Sequence, residues 1–137
     1  MIPIEKAGTD QRHRLLIVED EVLVLVDTAD YLRSRGFEVT EATNADDAVR
    51  ILKSGMAISL VFTDIRMPGS LDGYGLANYM RVYHAETPVL TTSGHISAAD
   101  CPPGFPLPIP KPYALDQVAA QIERLLSSTA ARTAYER

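Results

Sequence analysis

Side chains that can bind a metal or attack phosphorus follow three short apolar segments of the sequence. Glu19 and Asp20 follow the first segment, Asp64 ends the second, and Lys111 follows the third. If these segments are parallel strands, their carboxyl ends meet at one edge of a sheet. Carboxylates held close together repel one another unless a cation shares their site, and oxygen ligands suit Mg²⁺ better than zinc or copper. The pattern therefore predicts an Mg²⁺ site.

Asp64 is the candidate nucleophile of this group. A carboxylate beside Mg²⁺ can attack a phosphorus centre and form an aspartyl phosphate, which is a recognised form of covalent catalysis. Lys111 would pair with one phosphoryl oxygen, and Ser93, at the end of a further apolar segment, would donate a hydrogen bond to another. Ser93 also has an ordinary structural explanation as a turn residue before Gly94.

Patterns typical of strands and helices alternate along the chain and would bring these residues together. Leu15–Val18 is continuously apolar, as in a strand covered on both faces. A helical spacing of apolar residues continues to Gly36, and Asn44 occupies the N-cap position of the next helix. Strands are predicted at residues 15–18, 37–42, 60–62, 88–92 and 108–110, and helices at 22–35, 45–54, 76–83 and 115–126. This order predicts an α/β domain with a parallel sheet.

Length and composition narrow the class of protein further. With 137 residues, of which 46% are hydrophobic, the chain can bury one substantial core. A net charge of -5 argues against direct nucleic-acid binding. Cys101 is the single cysteine, and residues 1–13 lack the apolar stretch of a signal peptide, so we expect a cytoplasmic location. No run approaches the roughly 18 apolar residues of a membrane span, which predicts a soluble protein without membrane insertion.

Four ordered blocks of this sequence resemble the signature blocks of bacterial response-regulator receiver domains. They are Leu16–Glu21, Thr63–Gly69, Pro88–Gly94 and Lys111–Pro112. The resemblance extends from about Arg14 to Leu126. It implies a flavodoxin-like, doubly wound fold with a five-stranded parallel sheet in the order 2-1-3-4-5. It also implies phosphotransfer from a sensor histidine kinase or a histidine phosphotransfer protein.

The resemblance assigns roles to six residues of the predicted site. They are Asp64 as phosphoacceptor, Glu19, Asp20, Asp64 and the backbone carbonyl of Arg66 as protein ligands of Mg²⁺, Ser93 as switch hydroxyl, and Lys111 as phosphate contact. The chain would then be a signalling protein and not an enzyme that turns over a substrate. Only a short tail follows the last predicted helix, so we expect a stand-alone receiver that signals through phosphorylation-dependent contact with another protein.

The sequence departs from the family pattern in three places. Pro108 occupies the position where receivers usually carry a switch aromatic. Phe105 and Tyr113 are the candidates to substitute for it, although neither aligns with that position. The prolines between Pro102 and Pro110 predict a short or irregular fourth helix, which favours a monomer over the usual dimer. The loop after Asp64 is one residue longer than usual. We predict a flexible N-terminus over residues 1–13, a receiver domain over 14–127 and a frayed tail over 128–137.

Two other functions fit parts of the pattern. A receiver-like docking module that no longer takes phosphate is compatible with Pro108. A Mg²⁺-dependent aspartyl-phosphate phosphatase also uses a nucleophilic aspartate at a strand end. That chemistry needs a second carboxylate two residues later as acid and base, and this chain has Arg66 there.

Overall fold

The computed structural model describes residues 12–67, 69, 71–94 and 107–136. Its strands are β1 (Arg14–Val18), β2 (Glu38–Ala42), β3 (Leu60–Asp64), β4 (Val89–Ser93) and β5 (Ile109–Pro110). Its helices are α1 (Val22–Ser34), α2 (Ala45–Lys53), α3 (Gly73–Tyr83) and α4 (Leu115–Glu136). The predicted fourth-helix segment, Phe105, Cys101 and part of the loop after Asp64 lie outside the described residues.

The five strands form one parallel sheet in the order β2-β1-β3-β4-β5. Val18 at the end of β1 is in register with Ala42 of β2 and with Thr63 of β3. Asp64 at the end of β3 is in register with Thr92 of β4. The carboxyl ends of the strands therefore lie along one edge. This topology confirms the predicted flavodoxin-like fold and the order 2-1-3-4-5.

Helices cover both faces of the sheet because alternate residues of β1 point to opposite sides. Leu15 and Ile17 pack in a cluster with buried side chains of α1 and α4, namely Leu25, Ala29, Leu32, Val118, Ala119, Ile122 and Leu126. Leu16 and Val18 pack in a second cluster with buried side chains of α2 and α3, namely Ala45, Ala48, Leu52, Leu76 and Met80. Each fully buried Leu or Ile side chain contributes about 1.5–3 kcal/mol relative to an exposed one. The sheet is thus held rigidly, and its carboxyl edge can carry a site.

Polar caps fix the starts of two helices that border this edge. The side chain of Asn44 accepts a hydrogen bond from the Asp47 N–H at 2.7 Å, which confirms its predicted N-cap position. The side chain of Asp72 accepts one from the Gly75 N–H at 2.9 Å. As a result α3 begins at Gly73, before the first apolar residue that predicted it.

The helical backbone of α4 extends past its last described buried side chain. Among the described side chains of this helix the last buried one is Leu126, which belongs to the stripe that the sequence predicts. The helical backbone continues to Glu136, into the segment 128–137 for which the sequence predicts a frayed tail. The frayed tail itself stays a prediction. Within the described residues, no helix is both long enough and apolar enough to cross a membrane.

Candidate functional site

The carboxyl edge of the sheet brings together three carboxylates of the predicted site. Glu19 and Asp20 directly follow β1, and Asp64 is the last residue of the adjacent strand β3. Each offers one oxygen, and these oxygens all lie within 4.8 Å of one another. Glu19 and Asp64 are buried, whereas Asp20 is partly exposed. Solvent can therefore reach the cluster from one side.

Lys111 lies among these carboxylates. Its Nζ donates to Glu19 Oε1 at 2.8 Å and to Asp64 Oδ2 at 3.0 Å, and Glu21 Oε1 is 3.8 Å away. Burial alone would lower the pKa of Lys111, but hydrogen bonds to Glu19 and Asp64 outweigh it, so the pKa is raised. The ammonium is therefore charged at neutral pH.

Glu19 is almost completely buried, with 3% of its surface exposed. Its Oε2 accepts a hydrogen bond from the Glu21 N–H at 3.1 Å. Burial raises the pKa of Glu19, and the negative charge of Asp64 acts in the same direction, whereas the hydrogen bond from Lys111 opposes them. Glu19 thus shares the ammonium of Lys111 with a second carboxylate, that of Asp64.

The residues present suit a hard divalent cation. The cluster holds three carboxylates, and Lys111 pairs with two of them, so one positive and three negative charges give the four groups a formal charge of −2. Oxygen ligands of this kind are typical of Mg²⁺ sites, in which water and phosphate complete the coordination. The Arg66 N–H donates to Asp64 Oδ1 at 3.3 Å, so the backbone turns back toward the carboxylate directly after β3. The role of the Arg66 carbonyl as a ligand stays a prediction.

Ser93 and Lys111 are joined through the backbone. Ser93 is the last residue of β4 and is buried, and its carbonyl accepts the Lys111 N–H at 3.0 Å. This bond holds the loop after β5 against the end of β4. The structure therefore brings five predicted side chains, those of Glu19, Asp20, Asp64, Ser93 and Lys111, to one edge. Pro108, at the expected position of the switch aromatic, is buried beside Ile109.

Gly73 is a residue that the sequence reasoning missed. A Cβ at this position would lie 2.2 Å from the Asp64 carbonyl oxygen and 2.6 Å from the Ile65 Cα. The Gly73 N–H donates to the Ile65 carbonyl at 2.9 Å, and the Ile65 N–H donates to the Thr92 carbonyl at 2.9 Å. The start of α3 thus rests directly on the peptide that carries Asp64. The available signal was a glycine directly after the N-cap Asp72.

Tyr113, which the sequence offers only as a non-aligned substitute for the switch aromatic, also borders the site. Its phenol and the hydroxyl of Thr28 are 3.1 Å apart, and its ring centroid lies 5.6 Å from that of Phe62. A cavity of about 540 Å³ opens beside them, between α1 and the loop that carries Lys111. Its lining consists of Glu21, Val24, Asp27, Thr28, Gly94, Lys111, Pro112, Tyr113 and Leu115.

Comparison with known proteins matches most of this chain to one family. A family model described as the response regulator receiver domain covers residues 15–123. Sensor kinase CckA of Brucella abortus (strain 2308) is 32% identical over 120 residues, which are 82% of this chain and 12% of that protein. The transcriptional activator protein PfeR of Pseudomonas aeruginosa is 34% identical over 117 residues, which are 82% of this chain and 37% of that protein. The chain spans well under half the length of either relative.

Solved structures give the same match. A response regulator receiver protein from Sinorhizobium medicae WSM419 has a TM-score of 0.79 and 31% identity, covering 87% of this chain and 98% of its own. The receiver domain of the hybrid histidine kinase CckA has a TM-score of 0.71 and 33% identity, covering 82% and 98%. A CheY-like receiver from Methanospirillum hungatei JF-1 has a TM-score of 0.81 at 21% identity and supports the fold alone.

Proposed function

The chain belongs to the response regulator receiver domain family, and on that premise we propose that Asp64 accepts a phosphoryl group from the phosphohistidine of a kinase or phosphotransfer protein. The modified domain would then signal through phosphorylation-dependent contact with another protein. The observation that carries this proposal is the ammonium of Lys111, 3.0 Å from Asp64 Oδ2 at the edge where three carboxylates meet. A hybrid histidine kinase carries a similar receiver domain, which supports a kinase as donor.

The proposed transfer is a displacement at phosphorus. A carboxylate oxygen of Asp64 forms the new P–O bond while the P–N bond to the donor histidine breaks, and its electron pair returns to the imidazole. Lys111 turns from the carboxylates to a phosphoryl oxygen, and the Ser93 hydroxyl donates to another. Glu19, Asp20, Asp64 and the Arg66 carbonyl would hold Mg²⁺, which when bound neutralises charge on the phosphoryl oxygens.

Burial strengthens the electrostatic interactions of the groups that would contact phosphate. Asp64 and Ser93 are both buried, with 6% and 1% of their surfaces exposed, so bulk water screens their interactions weakly. Because Lys111 Nζ already lies 3.0 Å from Asp64 Oδ2, only a small reorientation is needed when the phosphoryl group arrives. Output through a separate protein, a cytoplasmic location and a monomeric state stay predictions from the sequence.

Intact-mass measurement after incubation with Mg²⁺ and a small acyl phosphate tests the proposal. We expect one added phosphoryl group on the native chain and none on Asp64→Asn. Asp116→Asn, an exposed aspartate of α4, is the matched control and should be phosphorylated as the native chain is. Chelation of Mg²⁺ should also abolish the adduct.

Two results would contradict the proposal and favour the alternatives. If the native chain gains no phosphoryl group under conditions that modify a reference receiver, the docking module becomes the better description. If the chain hydrolyses phosphomonoesters over many turnovers, a phosphatase becomes the better description.

A further inference from the structure

The loop between β5 and α4 is attached to the rest of the domain on both sides of Lys111. The Lys111 N–H donates to the Ser93 carbonyl at 3.0 Å. Two residues later the phenol of Tyr113 is 3.1 Å from the hydroxyl of Thr28, a residue of α1 that is 85 positions away in the sequence. The backbone of Lys111 is therefore anchored to β4 on one side and to α1 on the other.

The Tyr113 ring also contacts the strand that ends in Asp64. Its centroid lies 5.6 Å from that of Phe62, with the rings tilted by 60°, a favourable geometry for an aromatic pair. Phe62 lies two residues before Asp64 in β3, so both side chains point to the same face. Tyr113 thus touches α1 and β3 while its own loop carries Lys111.

Packing alone does not explain the two hydroxyl groups. Thr28 has 1% of its surface exposed, and a valine would fill the same volume with no polar group to satisfy. A phenylalanine at position 113 would keep the ring contact with Phe62 without a hydroxyl group. Burial raises the pKa of Tyr113, so its phenol stays protonated at neutral pH and can donate to Thr28 or accept from it.

We propose that the hydrogen bond between Thr28 and Tyr113 positions Lys111, and so sets where its ammonium meets a phosphoryl group on Asp64. This inference rests on the proposed function. When the ammonium turns from Glu19 to a phosphoryl oxygen, the reach of the side chain is set by its backbone. The cavity between α1 and this loop leaves room for the loop to shift relative to α1. The hydrogen bond between Thr28 and Tyr113 restricts this shift. It also makes the contact between Lys111 and phosphate sensitive to movement of α1.

Kinetics of phosphorylation by a small acyl phosphate test the positioning role. Tyr113→Phe and Thr28→Val are each expected to slow the rate at saturating donor by about threefold to tenfold, the effect of one hydrogen bond. The double variant should be no slower than either single variant, because both substitutions remove the same bond. Tyr31→Phe is the matched control, since its phenol also lies on α1 but accepts its hydrogen bond from Arg35, at 2.9 Å, and not from the loop that carries Lys111. It should leave the rate unchanged.

The Lys111→Ala background separates positioning from general support of the fold. If Tyr113 acts through Lys111, Tyr113→Phe adds no further loss of rate in that background. An equal loss with and without Lys111 would overturn the proposal. So would an unchanged rate in Tyr113→Phe.

A second measurement decides the inference even if Asp64 takes no phosphoryl group, a result that would contradict only the proposed function. While the ammonium of Lys111 bonds to Glu19 and Asp64, we expect it to exchange slowly with water and to give a nitrogen NMR signal, which Lys111→Ala would assign. We expect the signal to shift or broaden in Tyr113→Phe and in Thr28→Val, and to stay in place in Tyr31→Phe. A signal that does not change in the first two variants would overturn the proposal.

Discussion

Lys111 donates to Glu19 at 2.8 Å and to Asp64 at 3.0 Å, so one ammonium serves two buried carboxylates. Glu19 has little access to water that could replace it, because only 3% of its surface is exposed. A buried carboxylate that loses its cation carries an uncompensated charge, and breaking such a pair costs more than the pair itself contributes. We therefore expect Lys111 to stabilise the metal-free domain, in addition to the phosphate contact proposed for it.

Lys111→Met tests this at the scale of one residue. Removing the ammonium is expected to lower the free energy of unfolding by about 1–3 kcal/mol without Mg²⁺, below the full cost of a buried pair because Lys111 is partly exposed. Added Mg²⁺ should recover part of the loss, since it restores positive charge. Urea denaturation measures both values. Lys53→Met, an exposed lysine of α2, is the control. Unchanged stability of Lys111→Met would contradict the expectation.

Among the helices, α3 directly contacts the backbone that carries Asp64. Its first residue, Gly73, lies against the peptide between Asp64 and Ile65, where no side chain fits. Backbone atoms on both sides of this contact are hydrogen-bonded, so neither can move freely. The start of α3 therefore fixes the position of the backbone at Asp64.

Gly73→Ala is expected to shift this backbone. A Cβ 2.2 Å from the Asp64 carbonyl must displace α3 or the end of β3, at a cost of about 1–3 kcal/mol or more. Gly73→Ala should therefore lower both the stability of the domain and the rate at which Asp64 is phosphorylated. Gly75→Ala is the matched control two residues later, because its Cβ would meet the flexible end of Leu71. Urea denaturation measures the stability, and intact mass measures the rate of phosphorylation. If Gly73→Ala and Gly75→Ala behaved alike, the contact of Gly73 with the backbone of Asp64 would not hold the site in place.

For the molecule as a whole, the sequence predicts the fold better than the distances within the site. Continuous apolar segments such as Leu15–Val18 define buried parallel strands, and parallel strands align their carboxyl ends, so Glu19, Asp64 and Lys111 could be placed together. The bond between Thr28 and Tyr113 joins residues 85 positions apart and leaves no local pattern. Neither does the contact of Gly73 with β3, which arises only when α3 packs on the sheet.

The excess negative charge of the site links its chemistry to the stability of the whole domain. Asp20→Asn removes one of three carboxylates that repel one another, so the metal-free domain is expected to become more stable by roughly 0.5–1 kcal/mol. The same change removes a predicted ligand, so Mg²⁺ should stabilise the variant far less than the native chain. At 100 times its dissociation constant, a ligand contributes about 2.7 kcal/mol.

Thermal unfolding in chelator and in Mg²⁺ would measure this exchange. Asp116→Asn removes an exposed charge of the same type on α4 and should leave both melting temperatures close to those of the native chain. If Mg²⁺ raises the melting temperature of Asp20→Asn as much as that of the native chain, Asp20 is not a ligand. If Asp20→Asn is less stable in chelator, the carboxylates do not repel one another appreciably. We expect Asp20→Asn to be more stable without metal and to lose its response to Mg²⁺. That result would mean that the native domain gives up some stability to carboxylate repulsion at this edge, where a cation can bind.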